Sequence, residues 1–228
     1  MFGFKKLYKK SYSQCGEDLI VYRILSLIGI TDPKYLDIGA TDPVHLNNTF
    51  FFYEKGCKGV NIEADPYLFK KLVAKRPRDI NLNIGITAHN TSLSFYVMTS
   101  RKLNTFSRET AERYASYGNQ KIESILKIDV ATINEIVRKY FQPKPNFVSL
   151  DAEGLDMEIL KCFDFKRFRP EVFCIETLTY TENNSETKIT DIIDYMKSVD
   201  YIAHSDTYIN TIFVDQKSWK KRGKNQTI

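Results

Sequence analysis

The sequence predicts an α/β fold: a mostly parallel, seven-stranded sheet with helices on both faces and a C-terminal antiparallel hairpin. Three observations carry this. Short β-rich runs alternate with helical periods along nearly the whole chain, the order that builds a parallel sheet covered on both sides. Runs such as "NFVSLDAEG" and "EVFCIET" are almost continuously apolar, as strands buried on both faces are. The last two, "YIAHSD" and "YINTIFVD", lie too close for a crossover helix and so form a hairpin.

The elements follow in order. "GEDLIVYRILSLIGI" is a helix ending near Gly29, and "KYLDIGA" is the first strand, bounded by Asp32-Pro33. "CKGVNIEA" is the second strand; Asp65 then caps a helix whose first residue is Pro66. "INLNIGI" reads as one third strand, and "SLSFYVM" as an inserted extended segment. The polar stretch "RKLNTFSRETAERYASYGNQ" reads as a loop with a helical turn or two. Thr132 and Glu135 have capping-box spacing, with Ile133, Ile136, Val137 and Tyr140 on one helical face. After the fourth strand, "GLDMEILKCF" is helical; after the fifth, Ile189, Ile192, Ile193 and Met196 mark another helix.

Composition sets limits. With 228 residues, 43% of them hydrophobic, the chain is expected to form one domain spanning 1–228 with a sizeable core. Cys15, Cys57, Cys162 and Cys174 form no CxxC pair or zinc-ligand spacing; each reads as a buried thiol in a reducing, cytoplasmic setting. No apolar run is long enough to span a bilayer, and the first ten residues lack a signal-peptide core. The net charge of +5 is carried by the ends: residues 1–10 hold four lysines and residues 217–228 five Lys/Arg, without an acid. Without those nine, 24 basic residues face 28 acidic ones, so no specific nucleic-acid binding is expected. The ends read as solvated tails, with peripheral contact to an anionic membrane or a partner as the alternative.

In sheets of this kind a ligand sits beyond the carboxyl ends of the strands. Three strands bring acids there: Asp37 ahead of Gly39, Glu63, and Asp151 with Glu153. A carboxylate at the end of the second strand suits two ribose hydroxyls. The loop after Gly39 is Ala40, Thr41, Asp42 and Pro43, without the further glycines that a diphosphate needs for contact with bare amides. A nucleoside without phosphates fits, and one bearing a sulfonium cation, S-adenosylmethionine, suits the acids.

The string "SQCGEDLIV…YLDIGATDP…NNTFFFYEKGCKGVNIEADP…KRP", followed by "SLDAEGLDMEIL" and "RPEVFCIE", resembles the FkbM family of S-adenosylmethionine-dependent methyltransferases. The similarity covers roughly residues 11 to 215, with several motifs in order, each at an expected strand end. The resemblance implies a Rossmann-like class I methyltransferase fold. It implies cofactor contacts at Ser13 and Gln14 in the segment before the first strand, and at Ala40, Asn48 and Thr49 in the loop after it, beside Asp37, Gly39 and Glu63. Each keeps a plainer alternative: Asp37 as a turn cap, Ser13 and Gln14 as caps of the first helix, Asn48 and Thr49 as caps of the next. Asn47 departs from a serine-like position in many relatives without touching an expected role.

The expected reaction is methyl transfer to an oxygen nucleophile, with Asp151, Glu153 or a histidine, His45 or His204, as base; a surface histidine is the plainer alternative for both. A second scheme, resembling metal-dependent O-methyltransferases, has Asp151 and Glu176 holding Mg²⁺. The resemblance implies a sugar hydroxyl of a glycan or glycan precursor as acceptor, with a polyketide or other small-molecule hydroxyl as the alternative. The segment Lys102 to Gln120 reads as a lid, Arg101, Arg108 and Arg113 meeting a phosphate and Tyr114 and Tyr117 stacking on a sugar. Two other classes stand against this: a nicotinamide dehydrogenase, which needs the absent glycines, and a non-catalytic nucleoside-binding module, which needs none of the acids.

Overall fold

The computed structural model describes residues 10–88, 92–181 and 185–223. The elements run α1 (Glu17–Leu27), β1 (Tyr35–Ile38), α2 (Phe50–Glu54), β2 (Gly59–Ile62), α3 (Pro66–Lys75), β3 (Ile80–Leu82), β4 (Gly85–Ile86) and β5 (Leu93–Met98). After a 3-10 turn at Arg101–Leu103 come α4 (Arg108–Ser116), β6 (Ile122–Ile128), β7 (Val130–Ala131), α5 (Ile133–Tyr140), β8 (Phe147–Leu150), α6 (Asp156–Cys162) and β9 (Val172–Glu176). The chain closes with α7 (Thr190–Ser198), β10 (Tyr201–Asp206), β11 (Asn210–Asp215) and α8 (Gln216–Lys220).

The main sheet has seven strands in the order β10-β11-β9-β8-β1-β2-β3. β3, β2, β1, β8 and β9 are parallel, and β11 runs antiparallel to both β9 and β10. Alternate residues of each strand serve opposite faces. Leu36, Val148, Phe173 and Phe213 pack with α5, α6 and α7, while Tyr35, Phe147, Cys174 and Ile212 pack with α1 and α2. The expected caps form: Asp65 accepts from Tyr67 N and Leu68 N, and Thr132 and Glu135 make the reciprocal capping box.

Four expectations need correction. "INLNIGI" is not one strand. Asn83 Nδ2 donates to the carbonyls of Glu63 (2.8 Å) and Ala64 (3.0 Å), ending β3, and β4 turns away to pair with β7. The polar middle holds the nine-residue helix α4, its N-cap Ser107 accepting from Thr110 N, and then β6, which pairs antiparallel with β5. The C-terminal basic stretch is not all tail: Asp215 accepts from Ser218 N at 2.8 Å and starts α8, whose Trp219 meets His204 edge-on. Residues 1–9 and 224–228 of the basic ends lie outside the described residues. Of the four thiols, Cys57 and Cys174 are buried, Cys162 is half-buried and Cys15 is exposed.

Beneath the loop that follows β1 lies a buried ionic network. Arg76, just past α3, has no solvent exposure. Its Nε donates to Asp79 (2.8 Å) and its Nη1 to Thr49 (2.9 Å) and Asn47 (3.2 Å), with Asp37 at 3.7 Å. Asp37 in turn accepts from the Thr49 hydroxyl at 2.6 Å and Asn47 Nδ2 at 3.2 Å. Asp79 accepts from the Tyr35 hydroxyl, Gly59 N and Asn61 Nδ2. Removing one partner of a buried ion pair strands the other in the core and costs about 3–5 kcal/mol. Arg76→Met is therefore expected to lower the melting temperature by roughly 6–20 °C; an unchanged melt would show the network to be dispensable.

Candidate active site

Two cavities open beyond the carboxyl ends of β1, β2, β8 and β9. The first, with about 550 Å³ of free space, is walled by Ile62, Ile84, Ile86, Phe95 and Phe106 and edged by Glu63. The second, with about 790 Å³, is lined by Gln14, Asp42, His45, Ser100, Glu176 and Tyr180 among others. The cavities share Thr41, Lys102, Asp151 and Glu153, so they are two chambers of one cleft.

In the first chamber Gly39 has φ +78°, and a Cβ there would lie 1.9 Å from the Asp151 carbonyl oxygen. The glycine thus lets β1 and β8 exit side by side, a packing reason in addition to any ligand approach. Glu63 is 5% exposed; its two oxygens accept from Thr41 N (2.8 Å) and Asp65 N (2.7 Å). Burial pushes its carboxyl up to about 7 despite those two bonds. One lone pair on each oxygen is left for a ligand hydroxyl.

At the junction, Asp151, Glu153 and Glu176 bring one oxygen each to within 4.8 Å of one another. Asp151 N donates to Ile38 O, which fixes the exit of β8. Asp156 accepts from Ala152 N and Gly154 N and stitches the turn. Glu153 sits at φ +47°, an uncommon conformation for a residue with a side chain. Asp151 Oδ1 is buried without a hydrogen-bond partner. Burial first, and the charge of Asp156 next, push the Asp151 carboxyl to about 7. Burial and then the charge of Asp151 hold Glu153 and Glu176 well above the carboxylate range. This is a set of desolvated acids with no Lys or Arg ion-paired to it among the described residues, suited to gain from a positively charged ligand or to exchange protons near neutrality.

The expected site residues divide. Gly39, Glu63, Asp151, Glu153, Glu176, His45 and Gln14 line the cleft. Asp37, Asn48, Thr49 and Ser13 are engaged elsewhere. Asp37 points to the α1–α2 face and Thr49 bonds to it; Asn48 Nδ2 donates to Ser149 Oγ (3.2 Å); the Ser13 hydroxyl donates to Asp18 (3.1 Å). Ala40 is buried, its N–H on Ile62 O. Glu17 and Asp18 of the same N-terminal segment are also structural. Burial works to raise the Glu17 carboxyl, but bonds from Thr207, Cys15 N and Asn210 outweigh it and hold it low.

The lid expectation also changes. Arg108 is paired with Glu112 in solvent, and Arg113 lies over Tyr114. Arg101 binds Asp65 at 2.5 Å while lining the first chamber. Tyr114 is 3% exposed and donates to Glu153 Oε2 at 2.9 Å, so it cannot stack on a sugar. Tyr117 packs near Tyr180, and His204 lies on the edge strand against Trp219. The reading of the sequence missed Asn47, Arg76 and Tyr180, and placed Lys102 only as the first residue of the lid. Asn47, three residues before the start of α2 and accepting from Thr49 N and Phe50 N, carried a capping signal; Tyr180 carried none.

A mostly parallel sheet of this strand order, with a cleft and acids at its carboxyl edge, is the Rossmann-like class I methyltransferase fold. The family model described as the methyltransferase FkbM domain matches residues 37–203, and the chain belongs to that family of S-adenosylmethionine-dependent methyltransferases. No curated protein matches. Similar solved structures include a TehB-like SAM-dependent methyltransferase from Corynebacterium glutamicum, 10% identical over 88% of this chain and 87% of that one, with a TM-score of 0.42. Another is precorrin-6y C5,15-methyltransferase from Geobacter metallireducens (13% identity, 92% and 91% covered, TM-score 0.43). A third is an O-methyltransferase from Bacillus cereus in complex with SAH (12%, 91% and 83%, TM-score 0.45). No helix among the described residues is long and apolar enough to cross a membrane.

The raised carboxyls have a consequence for stability. Glu63 and Asp151 hold protons up to about 7 in the folded chain, whereas the unfolded chain releases them near 4. Between those values the folded state binds more protons, so stability rises as pH falls from 8 toward 5. Melting temperatures are expected to be higher at pH 5.5 than at pH 8, with a shallower slope in Asp151→Asn. A flat or inverted profile would contradict this assignment.

Proposed function

We propose that the protein is an O-methyltransferase acting on a sugar hydroxyl of a glycan or glycan precursor. The observation that carries this is the convergence of Asp151, Glu153 and Glu176 where the two chambers meet. In this reading the first chamber receives the nucleoside: the apolar wall takes the base, Glu63 the ribose hydroxyls and Gly39 the close backbone contact. The bound S-adenosylmethionine supplies a methyl group on a sulfonium, already a good leaving group. What the chain must add is alignment of the acceptor and removal of its proton. Asp151 and Glu153 are the bases at the junction, with His45 on the rim of the second chamber. That chamber has two aliphatic residues, Leu46 and Leu103, among polar and charged ones, which favours a polyhydroxylated acceptor over a polyketide.

The three carboxylates also form an oxygen donor set that suits a hard cation. In the metal version of the proposal Asp151 and Glu176, with Glu153, hold Mg²⁺, whose contribution would be a lowered hydroxyl pKa. Full activity in EDTA would remove it.

Methyl transfer assayed against sugar nucleotides, oligosaccharides and small aromatic alcohols tests the acceptor. Activity confined to aromatic alcohols overturns the sugar reading, and methylation only at nitrogen or carbon overturns O-transfer. Asp151→Asn should bind S-adenosylhomocysteine within about twofold of wild type and lose roughly 10²–10⁴ in turnover. Glu63→Ala should weaken that binding roughly 10- to 150-fold, the loss of a charge-assisted hydrogen bond; unchanged affinity by calorimetry would sink the ribose assignment.

A further inference from the structure

The segment from β5 to β6 grips the cleft at two points. At one end Arg101 Nη1 (2.5 Å) and Asn104 Nδ2 (2.8 Å) both donate to Asp65 Oδ2, and Asp65 N donates to Glu63. At the other end the Thr105 hydroxyl donates to the Glu153 carbonyl at 2.9 Å, and the Tyr114 hydroxyl donates to Glu153 Oε2 at 2.9 Å. A Cβ on Gly154 would lie 3.2 Å from Thr110 Oγ1, so the same helix lies against the turn itself. Tyr114 is itself fixed: its ring packs with Met98, Leu103 and Ala111 and meets Tyr180 edge-on at 5.2 Å. Glu153 meanwhile sits at φ +47°, a conformation that persists only where surrounding contacts impose it.

We propose that Tyr114 is a positioning residue, which with Thr105 holds the turn at Glu153 so that its carboxylate faces Asp151 and Glu176. The inserted hairpin is then the part that ties the nucleoside end of the cleft to its reacting end. This rests on the reading of Glu153 as part of the methyl-transfer site. A plainer account is that Tyr114 is a core tyrosine whose hydroxyl takes the nearest acceptor. The two differ in what a single oxygen does: a packing role is kept by phenylalanine, whereas a positioning role is lost.

Tyr114→Phe keeps the ring and removes the bond. It is expected to bind S-adenosylhomocysteine within about twofold of wild type and to keep the acceptor KM, while kcat falls by roughly 10- to 100-fold, the usual cost of leaving a buried acceptor without its hydrogen bond. In the Glu153→Gln background the same change should alter kcat no further, because the two residues act as one unit. Equal fold losses in both backgrounds, or wild-type kcat in Tyr114→Phe, overturns the proposal. Thr105→Val, isosteric and on the other grip, is expected to repeat the pattern and serves if Tyr114→Phe is unstable. A crystal structure of either variant gives a readout independent of turnover. The Glu153 carboxylate is expected to have left Asp151; its presence in place overturns the positioning role even if no hydroxyl acceptor is found, an outcome that would count against the O-transfer reading alone.

Discussion

The buried guanidinium of Arg76 is the interaction on which the rest of the cleft depends. A cation with no exposure is tolerable only where its charge is matched and most of its donors are used. Here Asp79 takes Nε, Thr49 and Asn47 take Nη1, and Asp37 adds a second negative charge within 3.7 Å, while Nη2 is buried without a hydrogen-bond partner among the described residues. Those partners come from β1, the loop before α2 and the turn after α3; Asp79 reaches further, to Tyr35 of β1 and to Gly59 and Asn61 of β2. Asn47 then holds the loop from above, donating to the carbonyls of Ala40 and Asp42 at 3.1 Å each. The segment that floors the cleft is thus anchored from beneath by a single charge.

That network also explains why acids at the same sheet edge do different work. Asp37 lies one residue before the end of β1, and alternation turns its side chain to the α1–α2 face, where Arg76 meets it. Burial raises the Asp37 carboxyl while Arg76 pulls it down, and three hydrogen-bond donors use its oxygens. Asp151 lies one residue past the end of β8, on the cleft side, and its Oδ1 has no partner. One acid is matched within the fold, and the other keeps a buried oxygen without a hydrogen-bond partner.

The main sheet was legible because its signals are local. Near-continuous apolar runs, a hairpin with too short a connection and two capping motifs each report on a few neighbouring residues. Gly39, Glu63, Asp151 and Glu153 could be found as strand-end residues for the same reason. Asp37 looked identical to them, since its assignment turns on which face it occupies and on a partner 39 positions away in the chain. Arg76 lay within the quoted "KRP" yet gave no sign of burial, because arginine is ordinarily a surface residue. The insert was least legible. β6 is mostly exposed, with only Ile128 buried, so its alternation of side chains does not follow an alternation of hydrophobicity.

The cleft therefore has two parts with different physical origins. The first chamber is framed by β1 and β2, whose residues are held by a parallel ladder and by the Arg76 network, and its geometry follows from the core. Much of the second chamber is lined from the loop around His45, the 3-10 turn with Lys102, and Tyr180 beyond β9, all carried on connections. Connections tolerate substitution far better than ladder positions do. The second chamber can then vary through these segments while the sheet, and with it the first chamber, stays as it is. Glu153 is where the parts meet, held at its carbonyl and carboxylate by the insert and set in place by the turn after β8. Its strained backbone is the point at which loop variation and core geometry have to agree.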